Sequence, residues 1–95
     1  MFVRVASFTG GDPGHIRDMD ESERPELPAG VRRVMILDDG VGDRRLFLAF
    51  FDSREALEAA EARFDAMGDE MSEDVRGRRT SVDVYEVLFD EAVPG

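Results

Sequence analysis

The stretch RRLFLAFFDSREALEAAE, residues 44–61, decides the fold, because it passes from a strand period to a helix period at one capped junction. From Leu46 to Phe51 both alternating sets are apolar: Leu46, Leu48 and Phe50 on one face, Phe47, Ala49 and Phe51 on the other. An antiparallel strand with two apolar faces has to be covered on both. The helix that follows covers one. A chain of 95 residues has little left for the second, so the pattern predicts a homodimer in which the open sheet face meets that of a partner copy. Asp52 and Glu55 stand three apart at the helix entrance, as in a capping box with aspartate as the cap, and Ser53 is the alternative cap. Leu57, Ala60, Phe64, Met67 and Met71 then follow at helical spacing, with Gly68 as a break.

Working outward, residues 2–9 alternate as a strand, with Phe2, Arg4, Ala6 and Phe8 on one side and Val3, Val5 and Ser7 on the other. Gly10-Gly11 ends it, and Asp12-Pro13 starts a helix, since aspartate accepts from orphan amides and proline suits the first helical position. Pro25 closes that helix by about Arg24. Its anchors are only Ile16 and Met19, so it should be the most mobile ordered part of the protomer. Residues 31–37 read as the second strand, 38–43 as a glycine-rich hairpin connection, and Ser81 to Phe89 as the last strand, again apolar in both phases. Strand, helix, strand, strand, helix, strand is the βαββαβ order of a ferredoxin-like α+β protomer, with strand one between strands three and four. One domain spans residues 1–91, and residues 92–95 form a loose tail.

Composition narrows the chemistry. There is no cysteine, so thiol catalysis and thiolate metal sites are excluded. Lysine, asparagine, glutamine and tryptophan are also missing, which removes Schiff-base lysines and amide side chains that orient substrates. A net charge of −10 argues against nucleic acid, whose binding needs a basic face. The arginine clusters at residues 32–33, 44–45 and 76–79 read as surface charge balance. No apolar run is long enough to span a membrane, and the N-terminal segment reads as a mature strand without a signal peptide, so the expected location is cytoplasmic. The acidic run Asp18, Asp20, Ser22, Glu26 fails as a calcium loop, because the sixth and twelfth places hold Glu23 and Ala29. No metal site and no cofactor is expected.

The segments FFDSREAL (residues 50–57), SVDVYEV (81–87) and FVRVASFTGGDP (2–13) resemble the small dimeric α+β barrel proteins of the antibiotic-biosynthesis-monooxygenase-like superfamily. The resemblance implies two sheets packed face to face, and a cavity on or beside the open sheet face that takes an aromatic molecule or haem in different members. Haem-degrading members use an asparagine, a tryptophan and a histidine. This chain lacks the first two, and a phenylalanine, Phe51, stands where many relatives carry tryptophan.

Arg4 on a central strand needs a carboxylate. With strand centres aligned, Glu86 falls beside it, giving a pair that fixes register or anchors an anionic or phenolic ligand. Arg4, Glu86, Tyr85 and Phe47 are therefore the candidate ligand-binding residues, in a cavity lined mainly by phenylalanine and aliphatic side chains. His15, at the start of the weak helix, reads as a surface residue. One histidine and one tyrosine give few routes for proton transfer at neutral pH. The expected function is accordingly the binding of a small apolar or aromatic molecule, with a cofactor-independent monooxygenase acting on a small aromatic or polyketide-like substrate as the alternative.

Overall fold

The doubly apolar stretch forms a strand that lies inside a four-stranded antiparallel sheet. In the computed structural model, which describes residues 1–41 and 43–95, the elements in chain order are β1 (Phe2–Thr9), α1 (Pro13–Asp18), a single 3-10 turn (Glu21–Glu23), β2 (Val31–Asp38), β3 (Arg44–Phe51), α2 (Arg54–Ala59), α3 (Glu61–Glu70), α4 (Glu73–Arg76) and β4 (Arg78–Glu86). The sheet order is β2-β3-β1-β4, the ferredoxin-like arrangement read from the sequence. Of the connection expected at residues 38–43, Gly42 lies outside the described residues.

Register sorts the side chains, because directly opposed residues of antiparallel strands share a face. Phe2, Arg4, Ala6 and Phe8 stand opposite Phe51, Ala49, Phe47 and Arg45, and this face carries the helices. Val3, Val5 and Ser7 stand opposite Phe50, Leu48 and Leu46 on the face that no helix covers. The core forms between the first of these faces and α2–α3. Phe51 and Leu57 are fully buried, and the Phe64 ring meets Phe51 and Phe47 edge-on at centroid distances of 6.1 and 6.3 Å. Each such side chain contributes about 1.5–3 kcal/mol by leaving water.

The structure revises several expected boundaries, each for an identifiable physical reason. Ser53 is the cap of α2, its Oγ accepting from the Ala56 N–H at 3.1 Å, because the Asp52 carboxylate is engaged by Arg32 at 2.7 Å. The long second helix is jogged at Ala60, whose N–H reaches the Leu57 carbonyl in a tight 3-10 turn; Gly68 sits inside α3 and does not break it. The first helix stops at Asp18 instead of Arg24. Met19 turns extended, and Asp20 then accepts from the backbone N–H groups of Ser22 and Glu23 and from the Ser22 hydroxyl. Such local bonding competes with helix, and the Ser22 hydroxyl holds the Asp20 carboxyl below its ordinary range. β4 begins three residues early and ends at Glu86, because its partner runs out: Glu86 opposes Phe2, and one further bond joins the Val87 N–H to the Met1 carbonyl. Leu88 and Phe89 continue beyond the sheet and are exposed.

One backbone contact sets where α1 starts. Gly11 and Gly77, both at positive φ, lie so close to the facing chain that a Cβ on Gly77 would stand 2.5 Å from the Thr9 carbonyl oxygen. Beside them the Asp12 N–H donates to the Val75 carbonyl at 2.9 Å. Beyond this seam α1 buries none of its residues, and Met19 just after it is the first anchor. Amide exchange in residues 14–29 is therefore expected to be faster than in residues 55–66, as measured by deuterium uptake and mass spectrometry. Equal protection would contradict the account.

Candidate functional site

Because α1 is short and α3 leans over only part of the sheet, a cleft of about 1220 Å³ opens between the helix-bearing sheet face and the segments around α1, α3 and α4. Ala6, Phe8, Phe47, Val34 and Ile36 contribute its floor from three strands, and Ile16, Met19, Met67 and Met71 contribute apolar wall. A mostly apolar concavity with a few convergent polar groups is the usual form of a small-molecule site. The polar groups here are arginines and carboxylates in nearly equal number. Seven of the chain's twelve arginines line the cleft, against six of its twenty-two carboxylates.

Two of these arginines rise from the floor itself. Arg4 on β1 is 2% exposed; its Nε donates to Glu61 Oε1 at 2.7 Å, and its guanidinium lies 4.2 Å from the Phe64 ring centroid. Ion pair and cation–π contact together replace part of the lost hydration. Arg4 Nη2 has no partner. Arg45, at the start of β3 and 3% exposed, is held more loosely, with Nη1 3.4 Å from Asp38 Oδ1 and with neither Nε nor Nη2 bonded. The Ala6–Phe47 pair lies between the Arg4–Ala49 and Phe8–Arg45 pairs. An apolar pair therefore separates the two arginines along the strands.

Of the four residues expected to bind ligand, the structure brings Arg4 and Phe47 to the cleft. Tyr85 points from the other side of the sheet, opposite Val3, and is exposed. The Arg4–Glu86 pairing is corrected: Val84 opposes Arg4, Glu86 stands two residues further along opposite Phe2, and the carboxylate that Arg4 finds comes from α3 as Glu61. Sequence reasoning missed Arg45, although its parity with Phe47, Ala49 and Phe51 places it on their face. His15 is on the surface, with Nε2 3.6 Å from Glu23. No histidine, tyrosine, serine or threonine lines the cleft among the described residues, which leaves carboxylates as its only groups for proton transfer near neutral pH.

One further arginine braces the cleft from behind. Arg63 on α3 donates to the Glu26 carbonyl at 2.8 Å and is gripped by both carboxylate oxygens of Glu70, so the loop after the 3-10 turn is tied to α3. This pairing holds the Glu70 carboxyl below its usual range and raises Arg63.

No protein-family model and no curated protein matches the chain. Among solved structures it is similar to the crystal structure of a "putative Antibiotic biosynthesis monooxygenase" from Chloroflexus aurantiacus J-10-fl, at 12% identity and a TM-score of 0.56 over 98% of each chain. The chain therefore shares the ferredoxin-like α+β fold of that structure, the fold that the sequence resemblance implied.

The Arg4–Glu61 pair makes an ordered prediction. Glu61→Ala strands a buried cation and should cost about 1–3 kcal/mol, the lower part of that range reflecting Glu61's partial exposure. Arg4→Met leaves Glu61 to water and keeps an apolar stem, so it should cost less. Urea denaturation of the two variants checks the order, and the reverse order would refute the account.

Proposed function

We propose that the protein binds a small apolar or aromatic molecule in the sheet–helix cleft, and does so as a homodimer. The observation that carries the binding reading is the cleft, with an apolar floor from three strands and no histidine or tyrosine among its described lining residues. Support for the dimer comes from the uncovered sheet face, where Leu48 stands between Val5 and Met35, and Phe50 beside Val3. Leu88 and Phe89, 87% and 80% exposed beyond β4, add to it. On the sheet face Val5, Met35, Leu48 and Phe50 stay half-buried and Leu37 is 42% exposed, apolar surface that a second copy would cover. A second reading, a cofactor-independent monooxygenase, draws on the description of the similar Chloroflexus structure. It would require oxygen uptake by the metal-free protein with an aromatic substrate.

Ile36 lines the cleft on edge strand β2 and is 47% exposed, so a larger side chain fits there without disturbing the core. Ile36→Trp should weaken binding of naphthalene-2-carboxamide, a neutral aromatic probe, by about tenfold, since filled volume excludes ligand. Unchanged affinity, or no binding by the wild type, would count against the cleft. For the assembly, light scattering at micromolar concentration should give twice the chain mass for the wild type and one chain mass for Leu48→Glu, whose charge cannot be buried at an apolar interface. A wild-type mass of one chain would refute the dimer.

A further inference from the structure

We infer that the ligand of the cleft is an organic anion, an apolar body bearing a carboxylate, and that Arg45 is the group that receives the carboxylate. The inference rests on the binding reading above and adds the charge of the ligand to it. Three observations converge on it.

The Arg45 guanidinium is almost fully buried, yet two of its three nitrogens, Nε and Nη2, have no hydrogen-bond partner, and its third has only Asp38 at 3.4 Å. Buried polar groups are nearly always bonded, and a charged donor left unmet is more costly than a neutral one. Nε and Nη2 are also the neighbouring pair of N–H directions that a carboxylate spans with its two oxygens.

The second observation is the difference between Arg45 and Arg4. Both line the same cleft, but Arg4 is neutralised by Glu61 at 2.7 Å and covered by the Phe64 ring, whereas the only carboxylate on Arg45 is at hydrogen-bond limit. The less compensated of the two floor charges is therefore Arg45. Third, seven arginines against six carboxylates make the cleft lining close to neutral in a chain whose net charge is −10, so it repels anions less than the rest of the surface does. Within a concave low-dielectric wall the weakly paired Arg45 guanidinium then supplies the local attraction for an anion. The apolar body of the ligand then lies along Phe47 and Phe8, the latter directly opposite Arg45. Because Nε and Nη2 are closed to solvent, entry of the carboxylate requires the neighbouring side chains to swing aside.

The test compares two probes of one shape, naphthalene-2-carboxylate and naphthalene-2-carboxamide, by anisotropy of their own fluorescence, which no tryptophan obscures. The wild-type protein should bind the acid about tenfold or more tighter than the amide, as expected for a charge-assisted two-point contact. In Arg45→Met that ratio should fall to about one, and in Arg45→Lys, which keeps the charge but loses the fork, it should lie between. Equal wild-type affinities would overturn the anion assignment and leave the cleft reading standing. A ratio that survives in Arg45→Met would overturn the choice of residue. Failure of both probes to bind would overturn the cleft reading and this inference together. Should Arg45→Met not fold, the wild-type comparison of acid with amide still decides.

Discussion

β3 carries side chains that must leave water on both faces of the sheet, and the chain has helices for only one. Much of the architecture follows from that constraint. Phe51, Ala49 and Phe47 draw Leu57, Ala60 and Phe64 onto one face, and the jog at Ala60 lets these three helical residues reach the sheet from two short helices. The opposite face, with Val5, Leu48 and Met35 in a row across three strands, remains for a partner of the same kind in the dimer we propose. Each strand residue thus serves either the cleft or the outer face, with nothing between them but one layer of backbone.

The covered face is itself only partly covered. α1 is six residues long and lends no buried side chain, so the sheet beneath it opens into the cleft instead of a core. Into this partly apolar space the chain projects two arginines, and it treats them differently. Arg4 is stabilised by a carboxylate and an aromatic ring and ties β1 to α3. Arg45 lacks comparable partners. A stability argument accounts for the first arrangement. The second makes sense when the group has work outside the folded chain itself.

Strand β3, the entry into α2 and the central place of β1 were legible in the sequence because each follows from alternation and capping chemistry within a few residues. The helix 13–24 was not, since an aspartate at position 20 can cap a new turn as readily as sit in an old one, and the bond to Ser22 decided it. The choice of Ser53 over Asp52 depended on Arg32, twenty residues away, which claims the aspartate. For the site, Arg4 was recognised as a charge in need of a partner, but the partner came from a helix whose path over the sheet no strand pattern specifies. Arg45 was hidden for a simpler reason. Beside Arg44 it looked like half of a solvated pair, and only the extension of β3 back to residue 44 puts it in phase with the phenylalanines.

The seam of Gly11 against Gly77 bears on how such a protein can diversify. No side chain fits at Gly77 and none fits at Gly11, where a Cβ would stand 2.7 Å from the Gly77 nitrogen, so the ends of β1 and α4 are held in one relation whatever happens around them. The residues that follow, from Ile16 to Leu27, supply much of the cleft wall while having few duties in the core. Lineages adapting to new ligands would therefore be free to rewrite that wall, inserting or deleting residues in it, with the seam as the fixed point from which every version departs.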